Sequence, residues 1–344
     1  MDLTDLPMVF FTVVSQMAVG AFIVLGVIQV FARRGHSAQT AERVVAPVLY
    51  AIGPVLVLGL IVSMFHMHDV THTFNVIRNW GSSWLSREII FGCSFAAFGF
   101  GFALLEWFGK GSVAFRHAIA AVAALLGVGL LVSESMIYYS LVAVPAWHSW
   151  AVPFQFCATA LLLGSLGVAA ALMVTTLVRL RAVARVTATA DEAGSPAVDE
   201  PQTPAAHGPM ASLMARVAEI NAPTSDEEWR LTSTVIKGTA LAGAVVAIAI
   251  LVAYPVYLGG LAQQGGASAE AAAVFSGGLF WSRLVLAALT AILLGFFVFR
   301  MAGQATRQHT TTLVVLVLTA FALSAIGEFL ARLLHYAAMV KIGL

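Results

Sequence analysis

Charge is scarce in this sequence. Of its 344 residues only 10% are Asp, Glu, Lys or Arg, where a soluble domain carries about 25%. Such a chain cannot cover a water-facing surface with charge. The formal net charge of +1 says nothing about nucleic acid, but the sequence shows no basic patch of the kind that would bind it, so no nucleic-acid partner is expected. Cysteine is scarcer still, with Cys93 and Cys157 alone. An iron–sulfur cluster needs about four thiolates, so no iron–sulfur cluster is expected in this chain by itself. Both cysteines fall within apolar runs and read as buried packing thiols. A basic segment ahead of the first apolar run is also missing. The chain opens MDLTDLP, acidic where a cleavable signal peptide is basic, so the first run is expected to be a retained helix.

What is abundant is apolar residue, at 60%. It is gathered into eight runs, with approximate limits 8–32, 45–66, 87–108, 114–139, 149–178, 233–258, 274–299 and 311–337. At ~1.5 Å per residue each can cross a ~30 Å hydrocarbon core. The expected fold is therefore all-α, a polytopic membrane protein with an eight-helix transmembrane bundle. Of the 18 Lys and Arg, only Arg78, Arg87, Arg283, Arg332 and Lys341 fall on the side that carries the chain termini. Positive charge marks the cytoplasmic face, so both termini are expected outside, in the cytoplasmic (inner) membrane of a prokaryote. Helices 1–5 occupy 1–178 and helices 6–8 occupy 233–344, with an outer loop at 67–86. Between the two groups, 179–232 includes TATADEAGSPAVDEPQTPAAHGP, a composition that reads as a flexible cytoplasmic linker. Within it MASLMARVAEI, 210–220, could instead form a short amphipathic helix. SSWLSREIIF opens the third run and GGLFWSRLVL the seventh, an echo that suggests two four-helix repeats.

Ionisable side chains inside a span are functional candidates by default. Here Gln16, His66, Glu88, Glu134, Arg283, Glu328 and Arg332 all fall on the outer side of their runs. A transporter needs polar groups through the full depth, so the pattern points instead to one polar pocket opening outward. Glu328 and Arg332 are four residues apart and read as an ion pair on one helical face. Arg283 is expected to snorkel, or to neutralise Glu134 or Glu88. Gln16 is expected to bond a neighbouring helix. No run has a histidine near its middle, so no haem is expected. His66, His68, His72 and Asp69 are grouped in the outer loop, but their spacing matches no standard zinc pattern.

His66 closes the second run and Glu88 opens the third, so one hairpin can bring them together. Quinol oxidation releases two electrons and two protons. Neutral histidine can accept the hydroxyl hydrogen and a carboxylate can hold a second proton. On this chemistry a quinone site is one reading among several.

Several segments carry a family resemblance: MVFFTVVSQMAVGAFIVL at 8–25, SMFHM at 63–67, FNVIRNWGSSWLSREI at 74–89, AVPAWHSW at 143–150 and GEFLARLLHY at 327–336. With these the chain resembles the membrane-anchor subunit of the dimethyl sulfoxide reductase family. The resemblance implies a menaquinol-oxidising anchor of eight helices, without haem. It implies partners as well: an iron–sulfur subunit with four cubane clusters and a molybdopterin catalytic subunit, here expected on the outer face. The family's functional histidine falls on His66, within Ser-Met-x-His, and its functional glutamate on Glu88, within Leu-Ser-x-Glu-Ile. Gln16, Tyr138 and Trp147 are weaker candidates for the quinol pocket. Where the family has a basic residue shortly before the tyrosine that ends helix 4, this chain has Met136 and Glu134. Other readings are a polysulfide-reductase-type anchor, a transporter with an outward-facing pocket, and a purely structural tether.

Overall fold

The computed structural model of the chain describes residues 6–63, 78–193, 209–306 and 310–343. Eight of its helices are long and apolar enough to cross a membrane. They are α1 (Leu6–Gly35), α2 (Ala38–Ser63), α3 (Trp84–Trp107), α4 (Val113–Tyr139), α5 (Ala151–Ala193), α7 (Asp226–Gln264), α9 (Gly278–Ile292) with its continuation, and α11 (Thr311–Ala337). Helix α9 runs through a π-helical turn, Leu293–Val298, into α10 (Phe299–Gln304). Also described are two shorter α-helices, α6 (Pro209–Asn221) and α8 (Gly266–Ala273), and a 3-10 turn at Val274–Ser276. The all-helical, eight-span expectation is met. Hydrocarbon offers no partner for a backbone N–H or C=O, so an apolar run that enters it must bond along its own length.

The bounds differ from the apolar runs at their polar ends. Ser83 caps α3 by accepting from Ser86 N at 3.3 Å, and Ser112 caps α4 by accepting from Phe115 N at 3.2 Å. Ser225 and Glu228 form a reciprocal capping box that starts α7 seven residues before the apolar run at 233. These caps lie outside the greasy core, where hydropathy alone does not look.

The helices are not equivalent. Two-thirds of the apolar segment of α1 is buried (67%), and 61% of that of α5, against 22% for α3 and 17% for α9. So α1 and α5 form the centre, and the others expose large apolar side chains on their outer faces. The centre is closed by glycine. A Cβ on Gly20 would stand 1.8 Å from Ala160 O, and one on Gly164 would stand 2.4 Å from Gly20 C. Missing side chains thus let two backbones touch, the way helices associate where apolar burial gives no preference over lipid. Cys93 and Cys157 are exposed on outer faces of α3 and α5. This corrects their expected burial: an apolar run in a membrane is apolar all round, so its sequence does not say which face packs inward.

The alternation of eight spans puts Leu6, Ser63, Trp84, Tyr139, Ala151, Gln264, Gly278 and Ala337 at one end of the bundle. That end is called the terminal end below and the other the basic end. At the basic end, the segment read as linker is largely helical. Residues 179–193 prolong α5, 209–221 form α6, and 226–232 are the first turns of α7. Residues 194–208 lie outside the described residues. Ion pairs hold this region: Arg43 with Glu228 at 2.5 Å, Arg179 with Glu228 at 3.6 Å, and Arg216 with Glu42 at 2.5 Å and Glu219 at 2.8 Å. Arg179 Nε also donates to Ile220 O at 2.8 Å, and Arg43 to Ala222 O at 3.0 Å. Composition shows the Ala, Pro and acidic residues of this stretch. It does not show that arginines on α2, α5 and α6 find partners there.

Candidate functional site

The buried polar side chains of the terminal half form two chains of contacts. The first links α1, α4 and α11. Glu134 accepts from Ser15 Oγ at 2.5 Å and from Gln16 Nε2 at 2.9 Å. Gln16 Oε1 in turn accepts from Arg332 at 2.7 Å. Gln16 is fully buried (0% exposed), so its amide spans between a carboxylate and a guanidinium with no water-facing alternative. The Arg332 guanidinium lies 3.8 Å from the ring centroid of Phe156, a cation–π contact with α5.

The second series links α5, α7, α9 and α11. Glu328 accepts from Thr159 Oγ1 at 2.6 Å and pairs with Arg283 at 3.4 Å. Arg283 sits 4.5 Å over the ring of Tyr254. Two expectations are corrected here. Arg332 does not pair with Glu328 but reaches Gln16, and Arg283 neutralises Glu328 rather than Glu134 or Glu88. Each side chain is on a helix flanked by more than one neighbour. The partner across the bundle wins over the one a turn away because it also satisfies that neighbour's buried polar atoms.

Glu88 is buried in the first turns of α3. It lies within electrostatic reach of Glu134, Tyr138 and Tyr336. Among the described residues its carboxylate accepts no hydrogen bond. It therefore differs from Glu134 and Glu328, whose oxygens are all engaged. Beside it the ends of α4 and α11 form an aromatic cluster. Tyr138 and Tyr336 share a 2.7 Å hydroxyl–hydroxyl hydrogen bond. Trp147 donates from Nε1 to His335 O at 2.8 Å and stacks on the His335 ring at 5.2 Å and 14°. Tyr138 meets that ring edge-on at 4.7 Å. His335 Nε2 is buried with no hydrogen-bond partner among the described residues.

Of the residues singled out from the sequence, Glu88, Gln16, Tyr138 and Trp147 thus lie at the same end of the bundle. Tyr138 is the member shared between the surroundings of Glu88 and the Trp147–His335 stack. His66 lies outside the described residues, as do His68, Asp69 and His72. Helix α2 ends at Ser63, three residues before His66 and at the terminal end with Glu88. Among the described residues no three His, Cys, Asp or Glu side chains are grouped as metal ligands. Sequence reasoning does not single out Ser15, His335 or Tyr336. A signal is present for one of them: Glu328, Arg332 and His335 fall at i, i+4 and i+7, one face of α11.

The family model of the DMSO reductase anchor subunit (DmsC) matches residues 1–337. The chain belongs to that family. This anchor-family protein is similar to the C subunit of the anaerobic dimethyl sulfoxide reductase of Haemophilus influenzae, 29% identical over 172 residues, which are 50% of this protein and 60% of that one. It is similar to the C subunit of the Escherichia coli anaerobic dimethyl sulfoxide reductase, 32% identical over 160 residues, 46% of this protein and 55% of the relative. It is also similar to YnfH, an anaerobic dimethyl sulfoxide reductase subunit of Escherichia coli, 32% identical over 166 residues, 48% of this protein and 57% of the relative. The aligned part thus spans a little over half the length of these curated relatives. The anchor-family membership and the eight apolar helices together make this a multi-pass membrane protein and a membrane anchor subunit of the DMSO reductase family.

Proposed function

We propose that this anchor subunit oxidises menaquinol at the terminal end of the bundle. Electrons pass to an iron–sulfur subunit with four cubane clusters, and from there to a molybdopterin subunit that reduces dimethyl sulfoxide or a similar acceptor. The observation that carries the reading is Glu88: a buried carboxylate without a hydrogen bond among the described residues, at the end where α2 leads to His66. In this reading the Glu88 carboxylate takes a proton, whereas Glu134 and Glu328 accept from donors of their own.

In this reading His66 accepts the hydrogen of one quinol hydroxyl and Glu88 that of the other. Menaquinol loses two protons and two electrons and leaves as menaquinone. The protons go on to water at the bundle end, and the electrons to the partner. Tyr138 and Trp147 support the site through their packing around His335, and Gln16 through its hold on Glu134 and Arg332. The partner subunits dock at the terminal end, which faces outward across the inner membrane. Docking at the basic end would leave most of a ~30 Å core between the quinol and the first acceptor.

The test uses membranes that contain the assembled complex and a fluorescent quinol-analogue inhibitor. Saturable binding in wild type is expected to be lost in His66→Ala and weakened in Glu88→Gln while the complex stays assembled. Equal binding in all three would remove the site from α2 and α3. Absence of binding in all three, wild type included, would leave a structural tether.

A further inference from the structure

Two clefts open between the helices toward the surrounding hydrocarbon. One, about 270 Å³ between α2 and α3, is apolar along nearly its whole wall, including Phe95 and Phe100. The other, about 600 Å³, lies toward the basic end among α1, α3 and α4 and has a different character. Its lining includes the small residues Gly26 of α1 and Ala121 and Ala124 of α4, together with Phe31 and Phe102. At the basic end its mouth carries Arg33, Arg34 and His117.

Those two arginines differ from four others at this end of the molecule. Arg43, Arg116, Arg179 and Arg216 each meet a glutamate. Arg33 and Arg34 form no ion pair among the described residues, and Arg33 Nε is buried without a hydrogen-bond partner among them. His117 is within electrostatic reach of Arg33, while Glu106, the carboxylate that acts on it, is held by Arg116 at 3.3 Å. An apolar trough therefore ends in two arginines that no carboxylate among the described residues neutralises, Arg34 lying 5.9 Å from the ring centroid of Phe31. A soluble anion would leave the trough empty, and a neutral ligand would leave the charges unmet.

We propose that this cleft is a binding site for an anionic phospholipid. The acyl chain lies in the trough over Gly26, Ala121 and Ala124, and the phosphate is held by Arg33 and Arg34, with His117 beside it. Basic pockets between membrane helices bind anionic headgroups by this combination of a charged rim and an apolar groove. The bilayer supplies the ligand at high local concentration.

Native mass spectrometry of the purified complex, after exchange into detergent with phosphatidylglycerol or phosphatidylcholine added, reads the site directly. Wild type is expected to retain phosphatidylglycerol about tenfold over phosphatidylcholine, and Arg33→Gln/Arg34→Gln to bring that ratio close to one, as two interfacial arginines would. Gly26→Leu adds bulk where nothing lies within 4 Å of an added Cβ, so the helices keep their packing while the trough fills. It is expected to lower retention of both lipids severalfold. Equal retention of the two lipids by wild type, an unchanged ratio in the glutamine variant, or undiminished retention in Gly26→Leu would each overturn the proposal.

Discussion

Arg332 donates to Gln16 Oε1 at 2.7 Å, from α11 to α1, although Glu328 lies one turn away on its own helix. The amide of Gln16 then passes this contact on to Glu134 at 2.9 Å. A single neutral side chain thus stands between a buried cation and a buried anion on three different helices. Removing it takes one hydrogen bond from each. Gln16→Leu is expected to destabilise the protein by about 2 kcal/mol, the usual cost of leaving buried charged groups short of a hydrogen bond. The thermal midpoint of the purified complex checks this.

Arg283 and Glu328 form a buried ion pair at 3.4 Å. Arg283→Met removes the cation and leaves the Glu328 carboxylate with the neutral hydroxyl of Thr159. It is expected to cost about 3–5 kcal/mol. Arg283→Met combined with Glu328→Leu removes both charges and is expected to recover most of that loss. Denaturation of the two variants side by side measures it. If the double variant were no more stable than the single, ion-pair formation would not be the source of the effect.

Where α1 and α5 cross, Gly20 and Gly164 leave no room for a side chain. Gly20→Ala drives a methyl group into the Ala160 carbonyl. It is expected to cost at least the ~1–3 kcal/mol of an overpacked core, seen as low yield of folded protein and a lowered thermal midpoint. Gly238→Ala on α7 meets nothing within 4 Å and serves as the control, with a midpoint unchanged or slightly raised.

If Glu88 handles a quinol proton, Glu88→Gln keeps its shape and loses its chemistry. Turnover with a menaquinol analogue is expected to fall about 10²–10⁴-fold, the range for loss of a positioned acid or base. The thermal midpoint is expected to stay near that of wild type. A variant with full turnover would place the proton-accepting group elsewhere.

Arg216 ties α6 to Glu42 on α2 and to Glu219 on its own helix. Burial by itself would pull its pKa down, but these carboxylates outweigh it and push the pKa up, so the guanidinium keeps its charge throughout the working pH range. Arg216→Ala is expected to release α6. Cleavage by a protease within 209–225 is then expected to rise severalfold relative to wild type, and raised salt is expected to move wild type in the same direction by screening the pair.

How far the site is legible in the sequence depends on what each residue needs. Glu88 can be singled out because its place at the start of an apolar run is a property of the sequence. The neighbours of Glu134 and Arg332 cannot, because they are supplied by helices more than a hundred residues away. Ser15 gives no signal, since a serine in a helix is unremarkable until a carboxylate faces it. The Cys93 and Cys157 thiols face outward rather than inward for a related reason: in a helix that is apolar all round, periodicity carries no phase.

The sequence by itself determined that eight helices cross a membrane and that polar groups gather toward one end. Hydrocarbon leaves an apolar run no other backbone conformation, and charge is tolerated only near the edge. Only the tertiary structure decided which helices form the centre, which buried charges meet, and that α6 is bound to the bundle. Those outcomes rest on how each helix is rotated against its neighbours, and close approaches such as Gly20 against Ala160 set that rotation.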